Sequence, residues 1–220
     1  MSQVALFDFD ATLAYREGRW GSAILEALDR LEPSHTVTAA DIRPHLQEGV
    51  PWHRPDRPHP ELVDPEAWWA RVLGILERPY RAAGFGADRA KELAGEARAL
   101  YVDPTSYTVY PESRPALDRL RAAGWSTWIL SNHVPELPEI VAGVGLADLV
   151  DGVTTSAFTG YEKPHSEAFR MALSRAGNPA RAVMVGDNPE ADIRGAEAAG
   201  LPAFLVEGGA LLAVVDRILS

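Results

Sequence analysis

Asp8 and Asp10 stand at the polar end of the apolar run Val4-Ala5-Leu6-Phe7. Side chains two apart along an extended chain point the same way, so both acids can converge on one site. Like charges that close repel, and each is driven toward protonation unless a cation or a proton donor compensates. Metal binding or acid–base chemistry is the usual reason for such a pair, although D-x-D alone also begins ordinary turns. Later stretches carry matching chemistry. The run 125–130 leads into Ser131-Asn132-His133, where a hydroxyl and backbone N–H groups can cradle an oxyanion or a phosphate. Lys163-Pro164 precedes a helix, and the proline stiffens the entry so that the ammonium keeps one direction. The run 182–185 ends in Gly186-Asp187-Asn188-Pro189-Glu190-Ala191-Asp192, an oxygen-ligand set that suits Mg2+. Singly, these are a common turn, a surface lysine, a helix cap and a solvated acid. Together they occupy strand ends that parallel winding brings to one place.

Positioning such groups takes a parallel sheet. From about residue 104 the chain alternates strand and helix, with helices predicted at 111–123, 135–144, 166–176 and 189–199. Strands are predicted at 125–130, 149–154, 182–185 and 203–206. That alternation predicts an α/β fold: a doubly wound parallel sheet with a Rossmann-like core. The first strand belongs to the same sheet, so residues 1–14 and 104–220 form one core. Residues 15–103 instead show helical periodicity, as in Ala23, Ile24, Ala27, Leu28 and Leu31. Thr38 is placed to cap a short helix that Pro44 limits. Asp64-Pro65-Glu66 opens a helix through Trp68, Trp69, Val72, Leu73 and Leu76 that Pro79 and Gly84 interrupt. A fourth helix spans 88–100. The reading is an inserted, smaller all-helical cap domain. Its proline-stiffened loop 49–60 carries His53, Arg54, Arg57 and His59, which either meet a second anionic group or remain solvated. Trp68 and Trp69 lie about 100° apart on their helix, so one faces the core and the other an interface or the pocket.

As a set, Asp8-Phe9-Asp10-Ala11-Thr12, Ser131, Lys163 and Gly186-Asp187 through Asp192 resemble the haloacid dehalogenase-like superfamily of phosphohydrolases. The resemblance runs over the whole chain, including a helical cap inserted just after the first motif. It implies that Asp8 is a nucleophile forming an aspartyl-phosphate and that Asp10 is the general acid and base. It further implies that Thr12, Ser131 and Asn132 hold phosphate oxygens while Lys163 neutralises Asp8 and the phosphate. Mg2+ is implied on the Asp8 carboxylate, the Asp10 backbone carbonyl and Asp187, with Asp192 behind them. A carboxylate cannot attack a phosphate dianion unless cations cancel the repulsion, and Mg2+ with Lys163 supplies that. The expected activity is Mg2+-dependent hydrolysis of a small phosphorylated metabolite. A phosphomutase shares the motifs, and a catalytically idle binding module is the alternative from another class. Asp10 sets the chain apart from the superfamily's dehalogenases, which lack an Asp there. Ala11 departs from the family's usual Gly, and a positive φ there makes Ala costly.

The totals are compatible with this reading. The 220 residues, 46% hydrophobic and 24% charged, can bury a core and stay in solution. A formal net charge of -10 argues against nucleic acid or an anionic membrane surface as a partner. The absence of cysteine excludes disulfides and thiolate chemistry and makes a reducing, cytoplasmic setting the easier home. Neither a secretory leader pattern nor a run of transmembrane length is present.

Overall fold

The computed structural model describes residues 2–220. The apolar run at the N-terminal end forms β1 (Gln3–Phe7), the central strand of a five-stranded parallel sheet. On one side it pairs with β4 (Ser126–Ser131), which in turn carries β5 (Gly152–Thr155). On the other it pairs with β6 (Arg181–Gly186), which carries β7 (Ala203–Leu205). The β5-β4-β1-β6-β7 order reverses direction at β1, and ligands bind at such a switch point, beyond the carboxyl ends of the strands. Asp8 follows β1 there and Asp187 follows β6. Helices cover both faces. Val4 and Leu6 gather with Phe169 and Ala172 on one side, whereas Ala5 and Phe7 gather with Leu117, Leu120 and Val215 on the other.

Residues between β1 and β4 form a helical layer built mainly from α1 (Arg19–Leu31), α2 (Ala39–Ile42), α3 (Pro65–Ala82) and α4 (Ala87–Val102). Helix α4 packs against both α1 and α3. Thr38 and Asp41 cap α2 reciprocally, and a 3-10 turn (Arg43–Leu46) replaces the α-helix where Pro44 removes a donor. Asp64 accepts the Ala67 N–H to begin α3. That helix runs on through Pro79, contrary to the sequence expectation. Only one late hydrogen bond is lost there, and the buried Tyr80 hydroxyl donates to the Ile24 carbonyl at 3.1 Å, fastening the last turn to α1. Both tryptophans of α3 are buried, and Trp69 reaches Glu136, beyond β4 on the sheet side, through its indole N–H at 2.8 Å.

The chain passes into and out of this layer through a short antiparallel ribbon, β2 (Ala14–Tyr15) against β3 (Thr108–Val109), which the sequence reading does not anticipate. The other sheet-side helices are α5 (Ser113–Ala122), α6 (Leu137–Gly143), α7 (Ser156–Thr159), α8 (Ser166–Arg175), α9 (Gly195–Ala198) and α10 (Leu211–Leu219). The last carries no expectation above, although Leu211, Val214, Val215 and Ile218 fall at helical spacing and are buried. Strand β5 starts later than predicted because Asp151 turns back, its carboxylate accepting the Thr127 N–H at 2.8 Å. No helix of the described residues is long and apolar enough to cross a membrane.

Candidate active site

The Asp8 N–H donates to the Val185 carbonyl, carrying the β1–β6 pairing one residue past the strand and fixing the backbone beneath the first carboxylate. The chain then turns sharply, with the N–H groups of Thr12, Leu13 and Ala14 all directed at the Phe9 carbonyl. Ala11 takes φ 61°, the left-handed region that an L side chain enters at a cost of roughly 1–2 kcal/mol. The Ala11→Gly variant is therefore expected to raise the unfolding free energy by about 0.5–1 kcal/mol after glycine's extra unfolded-state entropy is subtracted. Urea denaturation checks this, and an unchanged or lowered midpoint counts against strain at this turn.

Lys163 is buried between two acids, its Nζ 2.8 Å from Asp8 Oδ1 and 2.5 Å from Asp192 Oδ1. Burial alone pushes an ammonium down, but the charges and hydrogen bonds of Asp192 and Asp8 outweigh it and hold Lys163 above its ordinary value. Asn132 clamps the lysine's backbone, accepting the Lys163 N–H at 2.7 Å and donating to its carbonyl at 2.9 Å. The carboxamide that the resemblance assigns to phosphate thus serves to place the cation. Ser131 lines the cavity. Thr12 does not: it is fully buried, with a hydroxyl that finds no partner among the described residues.

Asp192 is spent on protein contacts. One oxygen takes Lys163 and the other accepts the Asn188 N–H at 2.9 Å, while Asn188 caps the following π-helical turn (Pro189–Arg194). Glycine is required opposite, since a Cβ on Gly186 would lie 2.2 Å from the Asp192 carboxylate. Oxygens of Asp8, Asp187 and Asp192 all fall within 4.8 Å of one another. Burial, then the charges of Asp8 and Asp192, push Asp187 up to about 6. Hard oxygen donors fit Mg2+, with Asp8 and Asp187 the better placed pair because Asp192 is already engaged.

Asp10 differs from Asp8. Its side chain is 22% exposed and has, among the described residues, no ion pair closer than His133 Nε2 at 3.6 Å. Burial raises it above the ordinary carboxyl value, His133 opposes this, and Asp8 adds to it. His133 is enclosed by Phe9, Tyr101 and Tyr107, and burial pushes its imidazole down. Neither ring nitrogen has a hydrogen bond among the described residues.

A cavity of about 350 Å³ opens over these groups. The helical layer contributes Arg19, Trp20 and Tyr101, with the Trp20 and Tyr101 rings stacked at 3.5 Å between centroids. Loop 49–60 contributes Trp52 and Pro55, not its charged residues. Arg54 pairs with Asp56, and both Arg54 and Arg57 line a separate groove. His59 is buried against Glu162, Nε2 to Oε1 3.1 Å, one residue before Lys163 in the chain. Burial disfavours the charged ring of His59, but the hydrogen bond and charge of Glu162, with Glu61 adding, raise it above its usual 6.5. A raised folded value means that the pair's stabilisation is complete below about pH 6.5 and fades as the pH climbs through the folded value. The stability difference between wild type and His59→Gln should accordingly be larger at pH 5.5 than at pH 8.5. Urea midpoints at the two pH values read this, and a difference that grows with pH reverses the assignment.

The signals for Arg19, Trp20, Tyr101 and His133 in the sequence are slight, a single His after Ser131-Asn132 being the most visible. Comparison with known proteins agrees with the geometry. The profile described as a haloacid dehalogenase-like hydrolase matches residues 3–200. A phosphoserine phosphatase of Thermus thermophilus is 38% identical over 162 residues, 66% of this chain and 64% of that protein. The chain thus spans under two thirds of the length of that relative. A phosphoglycolate phosphatase of Cereibacter sphaeroides is 31% identical over 209 residues, 92% of this chain and 84% of its own. The crystal structure of a 2-haloacid dehalogenase from Pseudomonas syringae pv. Tomato DC3000 superposes with a TM-score of 0.68 at 24% identity, covering 99% of this chain and 100% of that one, a likeness of fold alone. With the profile match running from the strand under Asp8 to beyond Asp192, the chain belongs to the haloacid dehalogenase-like hydrolase family.

Proposed function

We propose that this protein is a phosphatase of small phosphomonoesters, with Asp8 as the nucleophile and Asp10 as the general acid and base. The observation that carries the reading is the unequal treatment of the two carboxylates. Asp8 is held at 2.8 Å by the Lys163 ammonium, which aims it, whereas Asp10 meets only His133 at 3.6 Å and is raised by burial above the ordinary carboxyl value, as suits a group that must both give and take a proton. In the first half-reaction an Asp8 oxygen attacks phosphorus, the P–O bond to the alcohol breaks, and Asp10 protonates the departing oxygen. In the second, Asp10 takes a proton from water, whose oxygen attacks the aspartyl-phosphate to release inorganic phosphate and restore Asp8.

Lys163 offsets the charge of Asp8 and of the incoming phosphate, and Asn132 keeps it in place. Ser131 presents its hydroxyl to a phosphate oxygen from the cavity wall. Asp8, Asp187 and the Asp10 backbone carbonyl would hold Mg2+, which when bound offsets the negative charge shared by the acids and the phosphate. The helical layer acts as a cap that closes the cavity around the alcohol. Relatives named for phosphoserine and phosphoglycolate support small phosphorylated acids as the class to try first. The test is inorganic phosphate release across a phosphomonoester panel with Mg2+ present. Net release establishes a phosphatase, isomerisation without release a mutase, and no turnover an idle module.

A further inference from the structure

Arg19 stands exposed on the cavity wall, and its guanidinium has no hydrogen bond or ion pair among the described residues. The other cation lining the cavity, Lys163, is committed to Asp8 and Asp192. The backbone that presents Arg19 is unusual. Gly18 and Arg19 both lie in the left-handed region, at φ 66° and 49°, and a non-glycine residue stays there only where its surroundings over-determine it. Arg16 is the surrounding that does so. It is buried beneath the turn, pairs with Glu26 at 3.1 Å, bonds Ser22, and donates to the carbonyls of Glu17 and Arg19 at 3.4 and 3.2 Å. One arginine is thus buried to build the turn that leaves the next one free at the cavity.

We infer that Arg19 binds a carboxylate carried by the substrate, so that the preferred substrates are small phosphorylated carboxylic acids. This rests on the phosphatase reading above. With the phosphate placed at Asp8, Ser131 and Lys163, the cavity of about 350 Å³ leaves room for a short carbon chain whose far end meets the residues that the helical layer contributes, Arg19 among them. A guanidinium fork matches a planar carboxylate through two parallel N–H···O bonds. A second phosphate instead sets two charges against one cation, in a cavity already lined by Asp10, Asp187 and Glu190. A neutral end leaves the fork unpaired, and sites built for a polar partner reject analogues that lack it.

The experiment compares kcat/KM for phosphoglycolate, its uncharged primary amide and propane-1,3-diol bisphosphate, with an aryl phosphate as reference. Wild type is expected to favour the acid over the amide by on the order of 10²-fold, the scale of a charge-assisted hydrogen-bond pair. Arg19→Gln should bring that ratio close to one, mainly through KM for the acid, and Arg19→Lys should fall between. Arg19→Gly frees the turn of its left-handed penalty, so it should melt no lower than wild type and still lose the preference. Aryl phosphate turnover with equal handling of acid and amide, or with the bisphosphate preferred, overturns the inference while the phosphatase reading stands. A preference that survives Arg19→Gln and Arg19→Gly assigns it to another group and also overturns it. Absence of turnover on every ester, the aryl phosphate included, removes the phosphatase reading itself.

Discussion

Asp10→Asn, mixed with an aryl phosphate and quenched in acid, is expected to yield the peptide containing Asp8 heavier by one phosphate. An asparagine can neither protonate a leaving oxygen nor take a proton from water. A phenolate leaves without help, so Asp8 is still phosphorylated, but hydrolysis of the intermediate then lacks its base. General acid–base assistance is worth about 10²–10⁴-fold, enough for the phosphoenzyme to dominate. With an alkyl ester both steps slow and little intermediate collects. The label should vanish in Asp8→Asn/Asp10→Asn. Asp8→Asn alone should abolish turnover without lowering the melting temperature, because it removes one acid from a set whose oxygens crowd within 4.8 Å. Phosphate found on another residue moves the nucleophile, and rapid alkyl-ester turnover by Asp10→Asn takes Asp10 out of its role.

Lys163→Met should have the opposite effect on stability. Methionine roughly fills the space but leaves Asp8 and Asp192 facing a buried gap with no donor between them. Breaking a buried pair from one side costs about 3–5 kcal/mol, and here two carboxylates lose their partner together. In buffer free of divalent cations the urea midpoint should drop accordingly, with turnover lost as well. Adding Asp192→Asn to Lys163→Met should restore part of the stability and none of the activity, since one orphaned charge is gone while the attacking carboxylate still lacks its cation. A Lys163→Met protein as stable as wild type shows that solvent or relaxation compensates these acids.

The sheet was legible because apolar runs alternating with amphipathic helices have few ways to pack, and because acids at strand ends mark the ligand edge. Asp8, Lys163 and Asp187 therefore came together as read. What stayed hidden depends on contacts that no periodicity encodes. Asn132 turns from phosphate to the Lys163 backbone because both ends of that backbone unit fall within reach of one carboxamide. His59 leaves the proline-rich loop to meet Glu162 across the fold, whereas Arg54 stays with its neighbour Asp56. Arg19 owes its position to a left-handed turn held by a buried arginine, and neither feature shows in residue spacing. The helix runs on through Pro79 for the same reason: a tertiary bond from Tyr80 outweighs the local breaker.

The strand order has a consequence for synthesis. Val4 sits opposite Ser126 on one side and Ala182 on the other, so the strand beneath Asp8 can gain its first neighbour once residues near 131 have left the ribosome but lacks its second until residues near 186 follow. At about 5–20 residues per second, that interval is on the order of ten seconds or more. Throughout it, Val4, Ala5, Leu6 and Phe7 present at least one open hydrogen-bonding edge and an apolar surface to other nascent chains. Helices α1 to α4, whose partners lie closer in sequence, can pair in the meantime. Chains halted before β6 would carry the segment bearing Asp8 on an unpaired sheet edge, the form most exposed to aggregation and to chaperone capture.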